Sequence, residues 1–224
     1  MFKDSFFYLA VRLVNGALSL GAIYALTRIL TAEEYGVYAL GVAAIGMAAS
    51  VFFQWIAVSV SRFHAACRDD AGALLGEAHR LFLCVAAVLM LLVTMLMAWN
   101  PPARLSPLLT WAIGIGAIGM GLFNLALQVA NARGLVRRYG LLTGLRGALA
   151  LLLPVLLVHE GLAETGAVFG VALAAIVAVL CLGRCRLQRG TRRSDASLGR
   201  HMVAYGLALF LVSSALLFPI ADRT

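Results

Sequence analysis

Apolar residues run along this chain in blocks of about twenty, separated by short polar punctuation. The blocks cover residues 5–29, 37–60, 81–99, 108–130, 141–158, 165–182 and 203–221. Each approaches or exceeds the roughly 20 residues that a helix needs to cross the hydrocarbon core of a bilayer. Backbone groups in lipid must pair within their own segment, so each block is expected to be helical. Turn and charge signals fall between them, at residues 31–36, Asn100-Pro101-Pro102, Arg133-Gly134 and Glu160-Gly161. The expectation is an all-α membrane protein, a polytopic bundle of about seven transmembrane helices. Residues 1–183 form an N-terminal six-helix lobe, 184–202 a basic cytoplasmic linker, and 203–224 the first helix of an incomplete second lobe.

Composition sharpens this picture. Of 224 residues, 62% are hydrophobic and 12% charged, against roughly 25% charged in soluble domains. That excludes an ordinary soluble enzyme. The net charge of +8 would raise nucleic-acid binding on a soluble chain, but here most of it sits in short connectors and sets topology, so no nucleic-acid partner is expected. Placing the N-terminus in the cytoplasm puts Lys3, Arg62, Arg68, Arg80, Arg133, Arg137, Arg138 and the arginines of residues 184–200 inside. Only Arg28, Arg104 and Arg223 fall outside. Arg12 and Arg146 read as lying within helices near their cytoplasmic ends. Arg12 also interrupts what would be a signal-peptide core, so the first helix is expected to be retained. Cys67, Cys84, Cys181 and Cys185 have no metal-binding spacing and read as free thiols.

Polar residues inside the helices decide whether such a bundle merely anchors or surrounds a route. At 100° per residue, Arg12, Asn15, Gly16, Ser19 and Thr27 share a face of the first helix. Ser50, Gln54 and Ser61 share a face of the second, and Gly121, Asn124, Gln128 and Asn131 one of the fourth. Polar faces avoid lipid, so these stripes should turn inward, to bond across helices or to line a cavity. Arg12 either snorkels to the headgroups or contacts an anion in that cavity; Arg28 is an interfacial charge or marks the outer mouth. Asp222 forms a local pair with Arg223 or serves as a coupling-ion carboxylate. The pairs Gly140/Gly144 and Gly166/Gly170 have small-xxx-small spacing, which allows close helix approach. Gly114, Gly116, Gly119 and Gly121 lie in one apolar helix with no preceding strand, which argues against a nucleotide loop. His159-Glu160 lacks a partner nucleophile, and no catalytic residue, metal or cofactor is expected.

The string LTRILTAEEYGVYAL at residues 26–40 resembles the element joining the first two helices of the oligosaccharide flippase family. That family is the polysaccharide biosynthesis or O-antigen exporter branch of the multidrug/oligosaccharidyl-lipid/polysaccharide exporter superfamily. Arg28, Glu33, Glu34, Tyr35 and Gly36 match its pattern, with Thr27 and Thr31-Ala32 departing from it. VSVSRFHA at residues 58–65 is similar to the end of the family's second helix through Arg62 and Phe63. QVANARGLVRRYGLLTG at residues 128–144 resembles its fourth connector, and residues 205–223 the opening helix of its second half, with Asp222 and Arg223 matching.

The resemblance implies a multi-pass carrier in the bacterial cytoplasmic (inner) membrane. It would move polyprenyl-pyrophosphate-linked oligosaccharide outward for lipopolysaccharide, O-antigen or exopolysaccharide synthesis. Two lobes would rock around a cationic cavity, and this chain, ending just after the seventh helix, is expected to be a truncated form. Arg12, Arg28 and Arg62 are the expected anion contacts, and Asn15, Gln54, Asn124 and Gln128 the polar lining. Expected partners are the lipid-linked oligosaccharide, the bilayer, and a second lobe or other polysaccharide-assembly membrane proteins. A multidrug cation exporter of the same superfamily, a membrane enzyme, and a non-functional fragment or scaffold are the competing readings. The exporter would need carboxylates inside the helices, and the apolar blocks of the first six contain none near their centres.

Overall fold

The computed structural model describes residues 2–64, 71–99, 106–182, 199 and 202–205. Among them there is no strand, and nearly every residue is helical. Six α-helices follow in order: α1 Phe2–Ile29, α2 Ala32–His64, α3 Ala71–Trp99, α4 Pro107–Ala132, α5 Val136–Leu157 and α6 Ala163–Leu182. Five helical stretches are long and apolar enough to cross a membrane, the fifth being Val136–Leu182 taken as one. Most of the linker, most of the seventh apolar block and Asp222 lie outside the described residues.

The fifth stretch folds back on itself. A wide π-helical turn at Val158–Leu162 contains Gly161 at φ 86°, a conformation glycine adopts without steric cost. Beyond it, Gly170 lies against Pro154, Leu142 packs among Ala175, Ala178 and Val179, and Arg138 Nη2 donates to the Leu182 carbonyl at 2.6 Å. These pairings make α5 and α6 antiparallel. At 1.5 Å per residue the limbs are about 33 and 30 Å long, each matching a bilayer core of roughly 30 Å.

Neighbour relations fix the other directions. Phe7 and Val11 pack on Gly140, and Asn15 and Leu18 on Gly147, so α1 and α5 run parallel. Ile45 on Gly116 and Phe53 on Gly121 make α2 parallel to α4, and Ala172 against Gly116 with Ile176 against Gly119 makes α6 parallel to both. Val93 beside Gly114, and Phe82 beside the Phe53 ring that packs on Gly121, set α3 antiparallel to α4. Odd helices point one way and even helices the other, as short connectors between passes require. In α1 6% of the most apolar window is buried, against 44% in α4 and 61% in the Val136–Leu182 stretch, which makes α1 an edge and α4 and the hairpin the interior. The glycines of α4 are therefore packing surfaces: a Cβ at Gly116 would lie 2.6 Å from Ile45 Cδ1, and one at Gly121 2.5 Å from Phe53 Cγ.

Helix ends carry local signals. Ser106 Oγ accepts from the Leu109 N–H at 3.1 Å with Pro107 at the first helical position, which starts α4. Gly134 at φ 66° ends it, its N–H bonding the Asn131 carbonyl and the Leu135 N–H the Ala130 carbonyl, the Schellman arrangement. Three helix starts lie five or more residues ahead of their apolar blocks: α2 begins at Ala32, so most of the punctuation at residues 31–36 is its first turn. Helix α3 begins ten residues before its block, because residues 71–80 contain Ala, Leu and Glu and no proline. Glu77 is therefore inside a helix and buried, beside Gly199, not in a connector. Helix α5 begins five residues early, so Arg146 stands at its middle and not near its end.

Candidate functional site

The corner between α1 and α2 is held by a capping box. The Thr31 N–H donates to Glu34 Oε2 at 2.8 Å, the Thr31 hydroxyl bonds the same oxygen at 2.8 Å, and the Glu34 N–H reaches back to Thr31 Oγ1 at 3.4 Å. Beyond this corner α1 and α2 hardly touch, since α1 turns away to pack along α5. The divergence leaves a cavity of about 440 Å³ between them, floored by α5 and α6. That volume lies within the range of roughly 300–1,000 Å³ typical of ligand pockets. Its walls are Asn15, Leu18, Ser19, Ala22 and Ile23 of α1, residues 35–43 of α2 on their inward face, Arg146, Gly147 and Ala150 of α5, and Val171 of α6. Ser19, Ile23, Ala39 and Ala43 are exposed, so the cavity is open between α1 and α2.

Arg146 gives the cavity its charge. Its guanidinium carbon sits 4.9 Å from the centre of the Phe123 ring, a cation–π contact that covers one face. Its Nε is buried with no hydrogen-bond partner. Among the described residues no carboxylate pairs with it. An arginine at the middle of a membrane helix costs roughly 2.5–3.5 kcal/mol on insertion scales, and one facing a cavity commonly finds a partner there. The neutral polar lining is Asn15, Ser19, Tyr35 and Tyr38. Asn15 is held on the backbone of α5, because Gly147 has no side chain: a Cβ there would meet Asn15 Oδ1 at 2.6 Å.

Of the expected anion contacts and polar lining residues, Asn15 alone lines this cavity, together with Ser19 of the same α1 stripe. Arg12 is exposed on the same face of α1 as Ser19, about 10 Å away along the helix. Arg28 is exposed, 5.4 Å from the centre of the Tyr24 ring. Gln54 is exposed on α2 with Ser50 and Ser61, on the outside of the described bundle and not in its interior. Arg62 stacks 4.4 Å over the ring of Tyr205. Asn124 and Gln128 are half-buried on α4, away from the cavity, and Asn131 accepts from the Tyr8 hydroxyl at 3.5 Å. Tyr38 and Arg146 are cavity residues that the polar stripes do not include, and Tyr35 enters the sequence argument only through the connector motif. The signal was present: Tyr35, Tyr38, Val42 and their neighbours recur at helical spacing on one face of α2.

Compared with known proteins, the chain matches no family model, no curated sequence and no solved structure. The site is thus defined by its own chemistry. A fixed planar cation, neutral donors and no lining carboxylate suit an anion, and a fork of N–H donors suits phosphate in particular. Among the described residues no carboxylate lines the cavity to bind a cation.

Proposed function

We propose that this chain is one lobe of a flippase for polyprenyl-pyrophosphate-linked oligosaccharide in the bacterial cytoplasmic membrane. Each helix, including each limb of the α5/α6 hairpin, crosses the bilayer, with a further crossing in residues 203–221 and the N-terminus in the cytoplasm. The observation that carries the reading is the cleft between α1 and α2, lined by Arg146 from the middle of α5, whose Nε has no hydrogen-bond partner. A lipid-linked pyrophosphate is an anion that must cross at that depth. Its tail can stay in the bilayer while its headgroup traverses a polar cleft. The resemblance of residues 26–40 to the flippase connector supports the same reading, since that segment supplies Tyr35 and Tyr38 to the cavity. Arg12 lies further along the cleft face of α1 as a second cation toward the cytoplasm. Transporter sites generally form between two repeats, so a second lobe or a second copy would provide the facing wall.

The test is complementation in cells lacking their O-antigen flippase. The 224-residue chain is expressed alone and together with a second lobe, and surface polysaccharide is assayed. Rescue in either arm, lost when Arg146 and Arg12 are both neutralised, is the expected result. Rescue that survives both substitutions, or no rescue in either arm, would remove the flippase reading.

A further inference from the structure

We propose that residues 199 and 202–205 form a releasable clasp: the far end of the basic linker docks in the groove between the end of α2 and the start of α3 and holds the two helices together there. These residues are helical, with Val203 and Ala204 exposed and Gly199 and Met202 buried. Gly199, Met202 and Tyr205 follow at intervals of three, the spacing that makes successive residues neighbours on a helix surface. Each meets a different part of the groove. Gly199 lies against α3, where an added Cβ would stand 2.5 Å from Glu77 Oε1. Met202 is fully buried in a cluster that includes Ile56 and Val60 of α2 and Leu74 and Ala78 of α3. Tyr205 meets Phe63 edge-on, with ring centres 6.1 Å apart, and the Arg62 guanidinium covers the tyrosine ring at 4.4 Å.

Regularly spaced anchors set into an apolar groove are how one helix recognises another surface. The unbranched thioether of Met202 suits an irregular gap between two helices, and withdrawing it would leave a void bordered by both. Arg62 secures the open side, because a guanidinium over a tyrosine face is attracted by the ring. The next ring contact between α2 and α3 is Phe53 on Phe82, with centres 4.6 Å apart, about 14 Å further along α2. The clasp therefore closes an end of the pair that this contact does not reach. At the other end of the linker, Arg138 Nη2 donates to the Leu182 carbonyl at 2.6 Å. The linker is thus tied to α5 and α6 where it leaves the bundle and to α2 and α3 where it returns. With Met202 withdrawn, Arg62 is uncovered and the ends of α2 and α3 are free to part. None of this depends on what the cavity binds.

The test uses the full chain in detergent, with the native cysteines replaced and one cysteine introduced. A small neutral maleimide should modify Met202→Cys roughly tenfold more slowly than Ala204→Cys, since a buried thiol reacts only when its segment opens. Adding Tyr205→Ala or Arg62→Gln to Met202→Cys should raise that rate by roughly threefold or more. Tyr205→Phe keeps a ring under the guanidinium and should leave the rate unchanged. Amide exchange gives a second reading without introduced cysteines. Residues 58–64 of α2 and 71–78 of α3 should exchange faster in Met202→Asp than in wild type, whereas Met202→Leu should match wild type. Should Met202→Asp fail to fold, Tyr205→Ala takes its place in this comparison. Equal labelling of Met202→Cys and Ala204→Cys overturns the docked segment. Labelling that ignores both Tyr205→Ala and Arg62→Gln, or exchange at α2 and α3 that ignores the loss of Met202 or Tyr205, overturns the clasp. No readout uses a ligand, so failure here leaves the complementation result untouched, and the reverse.

Discussion

Gly170 of α6 lies so close to Pro154 of α5 that an added Cβ would stand 2.5 Å from the proline nitrogen and 2.6 Å from its Cα. Both atoms are backbone, which cannot swing aside as a side-chain tip does. Proline contributes to the fit, since it has no N–H to be buried by the close approach. Gly170→Ala should therefore lower stability by about 1–3 kcal/mol, the usual cost of overpacking a filled contact, read as a fall in the thermal midpoint of the purified chain. Gly144→Ala is the control. Nothing lies within 4 Å of a Cβ there, so this change should be neutral or gain up to about 1 kcal/mol from helix propensity.

The same reasoning applies at the centre of the bundle with a side chain as the obstacle. Gly121 of α4 faces Phe53 of α2, which is buried and stacks on Phe82 of α3 with ring centres 4.6 Å apart. Gly121→Ala should cost about 1–3 kcal/mol. Because the clash is with one ring, the double variant with Phe53→Leu should cost less than the sum of the single variants. Strict additivity in the thermal midpoints would mean that the two residues do not share this contact.

The contrast between Gly140/Gly144 and Gly166/Gly170 shows how far the sequence reaches. Both pairs have the spacing that permits close helix contact, and spacing cannot say which members are used. Gly140 meets Phe7 and Val11, Gly166 meets Leu162 and the backbone of Leu157, and Gly144 meets nothing. The six described helices were legible because lipid-length apolar blocks admit few alternatives. Helix ends were not, since α3 and α5 extend through charged residues that hydropathy assigns to connectors. The polar face of α1 was legible as far as Asn15 and Ser19, which line the cavity. The stripe on α4 turns inward at Gly121, buried against Phe53, but none of it lines the cavity. Arg146 went underweighted for a related reason: its depth depends on where α5 starts, and the apolar block starts five residues late.

The Thr31 corner sets where α1 and α2 part, and with it the mouth of the cavity. Its capping box uses the Thr31 hydroxyl as acceptor for the Glu34 N–H. Thr31→Ala should lower stability by about 1 kcal/mol, whereas Thr31→Ser keeps an oxygen in place and should restore most of it. Glu34→Gln should be milder than Glu34→Ala, because an amide oxygen still accepts from the Thr31 N–H. Amide exchange at the first turn of α2 reads the effect directly. Faster exchange in Thr31→Ala but not Thr31→Ser is the expected pattern, and equal exchange in all variants would show that tertiary packing alone holds the corner.

Arg133 and Glu160 flank α5 and are both exposed, which makes them a test of orientation. With the N-terminus in the cytoplasm, three crossings place the turn after α3 outside, and a fourth returns Arg133 to the inside. The concentration of arginine at Arg133, Arg137 and Arg138 favours the same side through the positive-inside bias. The hairpin then carries Glu160 outward. In a variant with the native cysteines replaced, Glu160→Cys should react with a membrane-impermeant maleimide in intact cells. Arg133→Cys should react only after permeabilisation. The reverse pattern would invert the whole bundle, and labelling of both positions from one side would mean that α5 does not cross. The alternating helix directions already require Arg133 and Glu160 to lie at opposite ends of α5, so a bilayer enclosing that helix must separate them.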